Sequence, residues 1–280
     1  WLKTELAYTS NAIEGNTLTR QETELAIEEN LTSGSKPIND YLEAINHAKA
    51  FEFILRASKQ HVKIDESFVL QIHKIILSGI DDSNAGFYRS VRVRISGSQT
   101  VLPNPIKVPD LMKEFGQWLI QKDNDILIKA IEAHYRLVTI HPFTDGNGRL
   151  SRALTTMLLL KNGYNYMPYA SMESIIEANK EGYYRALRAT QKTIWTDKVN
   201  YEPWLTFFIT SLQKQKRHLE EKITKVSGTT RYNKTEESII ALFDEKSSWS
   251  VLEIAQELNK NNETIKKNIQ NLVKKDILEK

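Results

Sequence analysis

His141-Pro142-Phe143-Thr144-Asp145-Gly146-Asn147-Gly148-Arg149-Leu150-Ser151-Arg152 is the stretch on which the reading of this chain turns. It gathers an imidazole, a carboxylate, two glycines, an amide and two guanidinium groups. Gly146-Asn147-Gly148 has the composition of a nest, in which successive backbone N–H groups converge on an anion. The apolar run Ala153 to Leu160 reads as a helix, so the nest opens a helix N-terminus, where the dipole favours phosphate. Arg149 and Arg152 are three apart and share a face of its first turns. Asp145 is a hard oxygen ligand suited to magnesium. His141 is the group here that exchanges a proton near neutral pH. Together they predict a triphosphate cradle with a base at its rim.

The segment resembles the motif of the Fic (Fido) family, His-Pro-Phe-x-Asp-Gly-Asn-Gly-Arg-x-x-Arg, at every defined position. The resemblance implies transfer of AMP from ATP to a Ser, Thr or Tyr hydroxyl of a protein, with release of pyrophosphate. It casts His141 as the general base and Asp145 as the holder of Mg²⁺. Gly146, Asn147 and Gly148 bind phosphate oxygens in this reading, and Arg149 and Arg152 hold the β- and γ-phosphates. Phe143 anchors the loop, and Pro142 fixes its entry. Fic relatives also transfer phosphocholine, UMP or phosphate; the phosphate-transferring ones depart from the motif at the second glycine, so Gly148 favours AMP. Two alternatives stay open: a DNA-binding regulator with a nucleotide-sensing core, and a bifunctional enzyme that also removes AMP, with Glu14 positioning water.

Outward from the motif, Glu5 to Asn16 reads as a helix stopped at Gly15-Asn16. Ser10 and Glu14 are four apart and share its face. Ser10-Asn-Ala-Ile-Glu14-Gly15 is similar to the inhibitory motif of Fic proteins, which implies that Glu14 pairs with Arg152 and takes it from the γ-phosphate. Thr19 and Glu22 form a capping box ahead of a helix reaching Asn30. Helices follow over Asp40–Arg56 and Asp65–Leu77. Val91 to Ile95 alternates apolar and basic residues, Ser96-Gly97-Ser98 is a turn signal, and Thr100 to Leu102 returns, so 91–105 is expected to be a β-hairpin. By resemblance it is a flap over the nucleotide, with Ile95, Ser96, Gly97 and Ser98 nearest it. Its edge is then the place where a protein substrate docks by strand addition. Val108–Gln121, Ile126–Ile140 and Ser174–Gln191 are helical. Tyr183, Tyr184 and Gln191 on the last are either core residues or, by resemblance, part of the adenine and ribose pocket. His47, His61, His73 and His134 lack metal-ligand spacing and are read as packing or surface residues.

Trp204 to Leu219 closes the core, and Ser227-Gly228-Thr229-Thr230 reads as a linker. Three short helices after it resemble a winged-helix or helix-turn-helix module, with Ile277-Leu278 starting a wing strand. Its basic residues are balanced by a similar number of acids, so either DNA or protein is the expected partner. The expectation is a mainly α fold: an N-terminal segment over 1–30, a Fic core over 31–226 and a winged-helix-like domain over 227–280. The chain has 280 residues, 40% hydrophobic, 26% charged, net charge +3 and no cysteine. That excludes disulfides and thiolate metal sites, and a reducing cytoplasmic setting is expected. No apolar run has the length to span a bilayer, so no membrane partner is expected. A second copy of the chain is a candidate partner, through automodification or a homodimer. The chain starts at Trp1, without methionine, so upstream residues are expected.

Overall fold

The structure is a computed structural model. It describes residues 2–32, 34, 36–95, 100–121, 125–193, 196, 198–227, 232–243, 246, 248–274 and 277–278. The described residues form α1 (Leu2–Glu14), α2 (Arg20–Glu29), α3 (Ile38–Ser58), α4 (Glu66–Leu77), α5 (Val108–Ile120), α6 (Ile126–Ile140) and α7 (Asn147–Lys161). α8 (Met172–Glu177), α9 (Lys180–Gln191), α10 (Glu202–Ser227), α11 (Lys234–Leu242), α12 (Val251–Glu257) and α13 (Asn262–Lys274) follow. No helix among them is long and apolar enough to cross a membrane. The chain divides into two compact units, Trp1–His218 and Leu219–Lys280.

The first unit is built around α7. All of its residues from Asn147 to Leu160 except Gly148 are buried. A helix buried on every side needs neighbours on every side, and α6, α3, α4 and α1 supply them. Leu150, Leu154 and Leu159 are fully enclosed, each worth about 1.5–3 kcal/mol of apolar burial. The helix starts where Gly146 turns the chain at φ 77°, a left-handed conformation that glycine adopts without Cβ strain. α10 is pinned to α6 by Trp204, which is fully buried and donates its indole N–H to the Ile131 carbonyl at 2.9 Å. The capping box of Thr19 and Glu22 opens α2 as expected.

Three expectations are corrected. Among the described residues there is no strand. Residues 92–95 and 100–104 form neither helix nor strand, and Ser96, Gly97 and Ser98 lie outside the described residues. A cleft of about 700 Å³ separates the two arms. Carbonyls that a ladder would use are taken by Arg89 instead, which donates to Val91 O at 3.1 Å and Pro103 O at 2.8 Å. Second, Ser174 to Gln191 is two helices. Asn179 N–H bonds back to Ile176 O at 3.0 Å, and Gly182 lets the Asn179 side chain fold against the start of α9.

The third correction concerns the second unit. α11, α12 and α13 close over Ile239, Leu242, Ile254, Ala255, Ile265 and Leu272. Asn233 and Ser250 cap α11 and α12 with their boxes to Glu236 and Glu253, and Asn259 turns the chain at φ 47° before α13. No wing strand forms among the described residues: Ile277 N–H bonds back to Leu272 O at 3.0 Å. The second unit is thus three short helices around a small apolar core, without a wing strand among the described residues.

His47, His73 and His134 are buried in the first unit. Burial lowers the His47 pKa to about 3 and the His73 pKa to about 4, and holds His134 well below its ordinary value, with nearby Arg152 opposing charge on His47 and His134. All three are therefore neutral in the folded chain at pH 7. Their unfolded counterparts take up protons first as pH falls. Stability is full above about pH 6.5 and is lost below it, by up to about 1.4 kcal/mol per pH unit per histidine. Urea midpoints from about pH 7.5 down to about pH 4.5 should fall, and His47→Leu should flatten the slope by one histidine's share.

Candidate active site

α6 ends by placing His141 in the left-handed region at φ 49°, with its N–H still bonded to Leu137 O at 2.9 Å. That turn lifts the imidazole off the helix. Nδ1 lies 3.3 Å from the Val138 carbonyl. A carbonyl only accepts, so Nδ1 carries the hydrogen and Nε2 keeps its lone pair. Burial lowers the His141 pKa and Arg89 acts in the same direction, against the Val138 carbonyl, Glu14 and Asp145. Arg89 donates from Nε to His141 O at 2.7 Å and from its backbone N–H to Pro142 O at 2.9 Å, which fixes the peptide carrying the base.

The loop after His141 is braced from two sides. Asn147 Oδ1 accepts from Phe143 N–H at 3.1 Å, and its Nδ2 donates to Phe143 O at 3.0 Å. The Asn147 amide thus closes the loop. His73, from α4, stacks on Phe143 with ring centroids 3.5 Å apart. Its Nδ1 accepts from Gly86 N–H at 2.9 Å, so Nε2 carries the hydrogen it gives to Asp145 O at 3.0 Å. Read from sequence as a packing residue, His73 shapes the loop. Nothing in its spacing marks that role.

The motif side chains divide into two layers. His141, Asp145, Asn147 and Gly148 line a cavity of about 590 Å³. Arg149 and Arg152 lie behind it, with side chains 1% and 2% exposed. Arg152 Nη2 pairs with Glu14 Oε1 at 2.8 Å, while Nε donates to Ser10 Oγ at 3.0 Å and Nη2 to Ser10 O at 2.9 Å. Burial opposes the Arg152 charge, but Glu14, Tyr183 and Glu173 outweigh it and raise its pKa. Arg152 Nη1 has no acceptor and lies beside Gly148. A Cβ at Gly148 would collide with Glu14 Oε1, so only glycine admits an anion this close to the start of α7. Arg149 pairs with Asp145 Oδ2 at 2.8 Å and Glu43 Oε1 at 3.1 Å.

The far wall of the cavity is α9 and the first arm of the cleft. Tyr183, Tyr184 and Gln191 line it, as does Ile95. Tyr183 is nearly fully buried and bonds through its hydroxyl to His134 Nε2 at 2.9 Å, so it also belongs to the core. Gln191 Oε1 accepts from Thr100 Oγ1 at 2.9 Å, tying α9 to the second arm. Lys180, Arg188 and Arg94 join the lining and were missed. Lys180, Tyr184, Arg188 and Gln191 recur at helical spacing on one face, which is the signal that marks them. Asp145 is the cavity's candidate magnesium ligand. Its side chain is 64% exposed, and one oxygen is held by Arg149. No group of three His, Asp or Glu among the described residues is arranged to hold a metal by itself. A single carboxylate fits Mg²⁺ carried in by a nucleotide, since that ion keeps waters and phosphate oxygens as ligands.

Comparison with known proteins points to the same part of the chain. The Fic/DOC family model matches residues 63–159. The protein adenylyltransferase Fic of Nematostella vectensis is 36% identical over 163 residues, which covers 56% of this chain and 37% of that protein. The protein of the same name from Drosophila melanogaster is 34% identical over 160 residues, 56% of this chain and 32% of that one. The chain thus spans about a third of the length of the curated relatives it matches. Among solved structures, Fic-1 (residues 134–508) from C. elegans superposes with a TM-score of 0.67 at 26% identity, covering 81% of this chain and 64% of that one. A Fic domain-containing signaling protein from Bacteroides thetaiotaomicron gives 0.64 at 27%, covering 81% and 88%. Sequence motif, fold and matched segment coincide on the same loop and helix, and residues 63–159 match a Fic/DOC (Fido) domain.

Proposed function

We propose that the chain is a protein adenylyltransferase that moves AMP from ATP to a Ser, Thr or Tyr hydroxyl of a protein and is held in check by Glu14. The observation that carries this reading is one cavity in which a neutral His141 with Nε2 unprotonated, the Asp145 carboxylate and the glycine-lined start of α7 face each other. His141 takes the proton of the attacking hydroxyl as it adds to the α-phosphorus. Backbone N–H groups at Asn147 and Gly148, with the α7 dipole, hold the phosphate oxygens. Arg152 receives the γ-phosphate once Glu14 has left it. Asp145 holds Mg²⁺, which when bound neutralises charge developing on the departing pyrophosphate. Tyr184 and Gln191 are placed for the nucleoside. The protein substrate enters along the cleft between residues 89–94 and 100–104, which shares Arg94 with the nucleotide cavity. The names of the relatives favour AMP transfer over a DNA-binding or AMP-removing role.

Incubation of the Glu14→Gly chain with labelled ATP and a lysate tests the reading. His141→Ala in that background should abolish labelling while calorimetry still detects ATP, because the phosphate contacts are elsewhere. Retained transfer in that variant would remove the base from His141. The pH profile carries the same assignment. His141 acts in its neutral form and its pKa is lowered, so the acid limb of the initial rate should fall below the ordinary histidine value of about 6.5. A limb centred above that value counts against it.

The Glu14–Arg152 pair sets the degree of self-inhibition. A charge-assisted contact is worth on the order of 1.5–3 kcal/mol, which at about 1.4 kcal/mol per factor of ten corresponds to roughly ten- to hundredfold in productive nucleotide binding. Initial rates at matched ATP and Mg²⁺ should rise by that order in Glu14→Gly and by less in Glu14→Asp. Arg152→Ala should be inactive with or without Glu14. A Glu14→Gly chain no faster than the parent would leave α1 as a structural helix only.

A further inference from the structure

Glu43, in the first turns of α3, lies outside the motif and outside the cavity lining. Its carboxylate is nonetheless the meeting point of two parts of the site. Oε1 pairs with Arg149 Nη1 at 3.1 Å, and Oε2 accepts from Asn16 Nδ2 at 2.8 Å. Asn16 also donates to Asp40 O at 2.9 Å, and Thr17 N–H and Oγ1 reach Asp40 Oδ2 at 2.9 and 2.6 Å. The connection between α1 and α2 is thus fastened to α3 at the residue that grips Arg149. Arg149 in turn pairs with Asp145 at 2.8 Å and is 1% exposed, whereas Asp145 is 64% exposed.

The two arginines of the motif pair with different carboxylates. Neither lines the cavity, and each keeps buried nitrogen without a hydrogen-bond acceptor: Nη1 of Arg152, beside Gly148, and Nε and Nη1 of Arg149. Arg149 lies between two acids, with Nη2 2.8 Å from Asp145 Oδ2 and Nη1 at ion-pair distance, 3.1 Å, from Glu43 Oε1. Glu43 thus adds a second ion pair to the guanidinium that holds Asp145.

We propose that Glu43 is a positioning residue: it locks Arg149 against Asp145 and so sets the carboxylate that receives the metal–nucleotide complex. The inference rests on the adenylyltransferase reading. Groups that orient a metal ligand typically change metal affinity by about ten- to hundredfold when removed. The probe is Mn²⁺ with ATP, followed by electron paramagnetic resonance as direct binding to the full chain carrying Glu14→Gly. Glu43→Gln, which keeps the shape and removes the charge, should weaken Mn²⁺ binding by about tenfold, and Glu43→Leu by up to about a hundredfold. Steady-state rates in the same background should show the loss in the KM for the metal–ATP complex more than in kcat. Glu43→Asp should recover part of it.

A purely structural Glu43 would change melting temperature and the amount of active protein, leaving the metal affinity of the folded fraction untouched. Undiminished Mn²⁺ binding in both Glu43→Gln and Glu43→Leu, with native circular dichroism, overturns the proposal. If Glu43→Leu does not fold, Glu43→Gln decides alone. If the Glu14→Gly parent itself binds no Mn²⁺–ATP, the adenylyltransferase reading fails and takes this inference with it; a binding parent with unaffected variants overturns the inference and spares the reading.

Discussion

Two buried guanidinium groups one turn apart in α7 govern the arrangement of everything near them. Arg149 and Arg152 sit in the middle of a helical unit with side chains 1% and 2% exposed. A buried charge left unpaired costs several kcal/mol, so the fold brings acids to it. Glu43 comes from α3, Asp145 from the loop before α7, and Glu14 with Ser10 from α1. Three separate elements converge on one helix end for an electrostatic reason, and the apolar packing of α1, α3 and α6 around α7 holds them there. One arginine holds Asp145 and the other holds Glu14, and both carboxylates line the same cavity.

Two histidines on either side of the loop use opposite tautomers, each dictated by a backbone group. His141 gives its Nδ1 hydrogen to a carbonyl and keeps a lone pair on Nε2 for chemistry. His73 accepts a backbone N–H on Nδ1 and spends its Nε2 hydrogen on Asp145 O. Burial lowers the His73 pKa to about 4, so His73 stays neutral and keeps both contacts at neutral pH. Protonated His73 could no longer accept from Gly86 N–H, while its Nε2–H would still donate to Asp145 O.

The motif was legible because its chemistry is local. Nest, helix start, base and acid fall within twelve consecutive residues, and Gly146 and Gly148 are needed where φ is positive or where an anion comes close. Glu14 was legible through its spacing from Ser10 and its resemblance to an inhibitory motif. Glu43, His73 and Arg89 were not, because their roles come from contacts across 52 to 106 residues of sequence, and nothing near them in the chain announces those contacts. The hairpin failed for a related reason. Alternation over Val91 to Ile95 encodes a two-sided environment, but an arm flanking a cleft is two-sided as well. Arg89, buried and rich in donors, takes the carbonyls that a ladder needs. The wing at Ile277 likewise looked apolar enough for a strand, yet the Ile277 N–H bonds back to Leu272 O.

On the proposed reading, the position of Glu14 decides how firm the self-inhibition is. It is the last residue of α1, followed by Gly15 at φ 101°. A carboxylate at a helix C-terminus is opposed by that helix's own dipole, by about 0.3–1 kcal/mol. The same carboxylate lies at the N-terminus of α7, where the dipole has the favourable sign, and against Arg152. The two dipole terms nearly cancel, so the contact is held by Arg152 and by little else. Its side chain is still 34% exposed, which weakens the pair further through solvent screening. A triphosphate brings more charge to the same helix end and to the same guanidinium, together with oxygens for the Asn147 and Gly148 N–H groups that a single carboxylate cannot all satisfy. On the adenylyltransferase reading proposed above, Glu14 is therefore a competitor that a nucleotide displaces in part, leaving Arg152 recoverable.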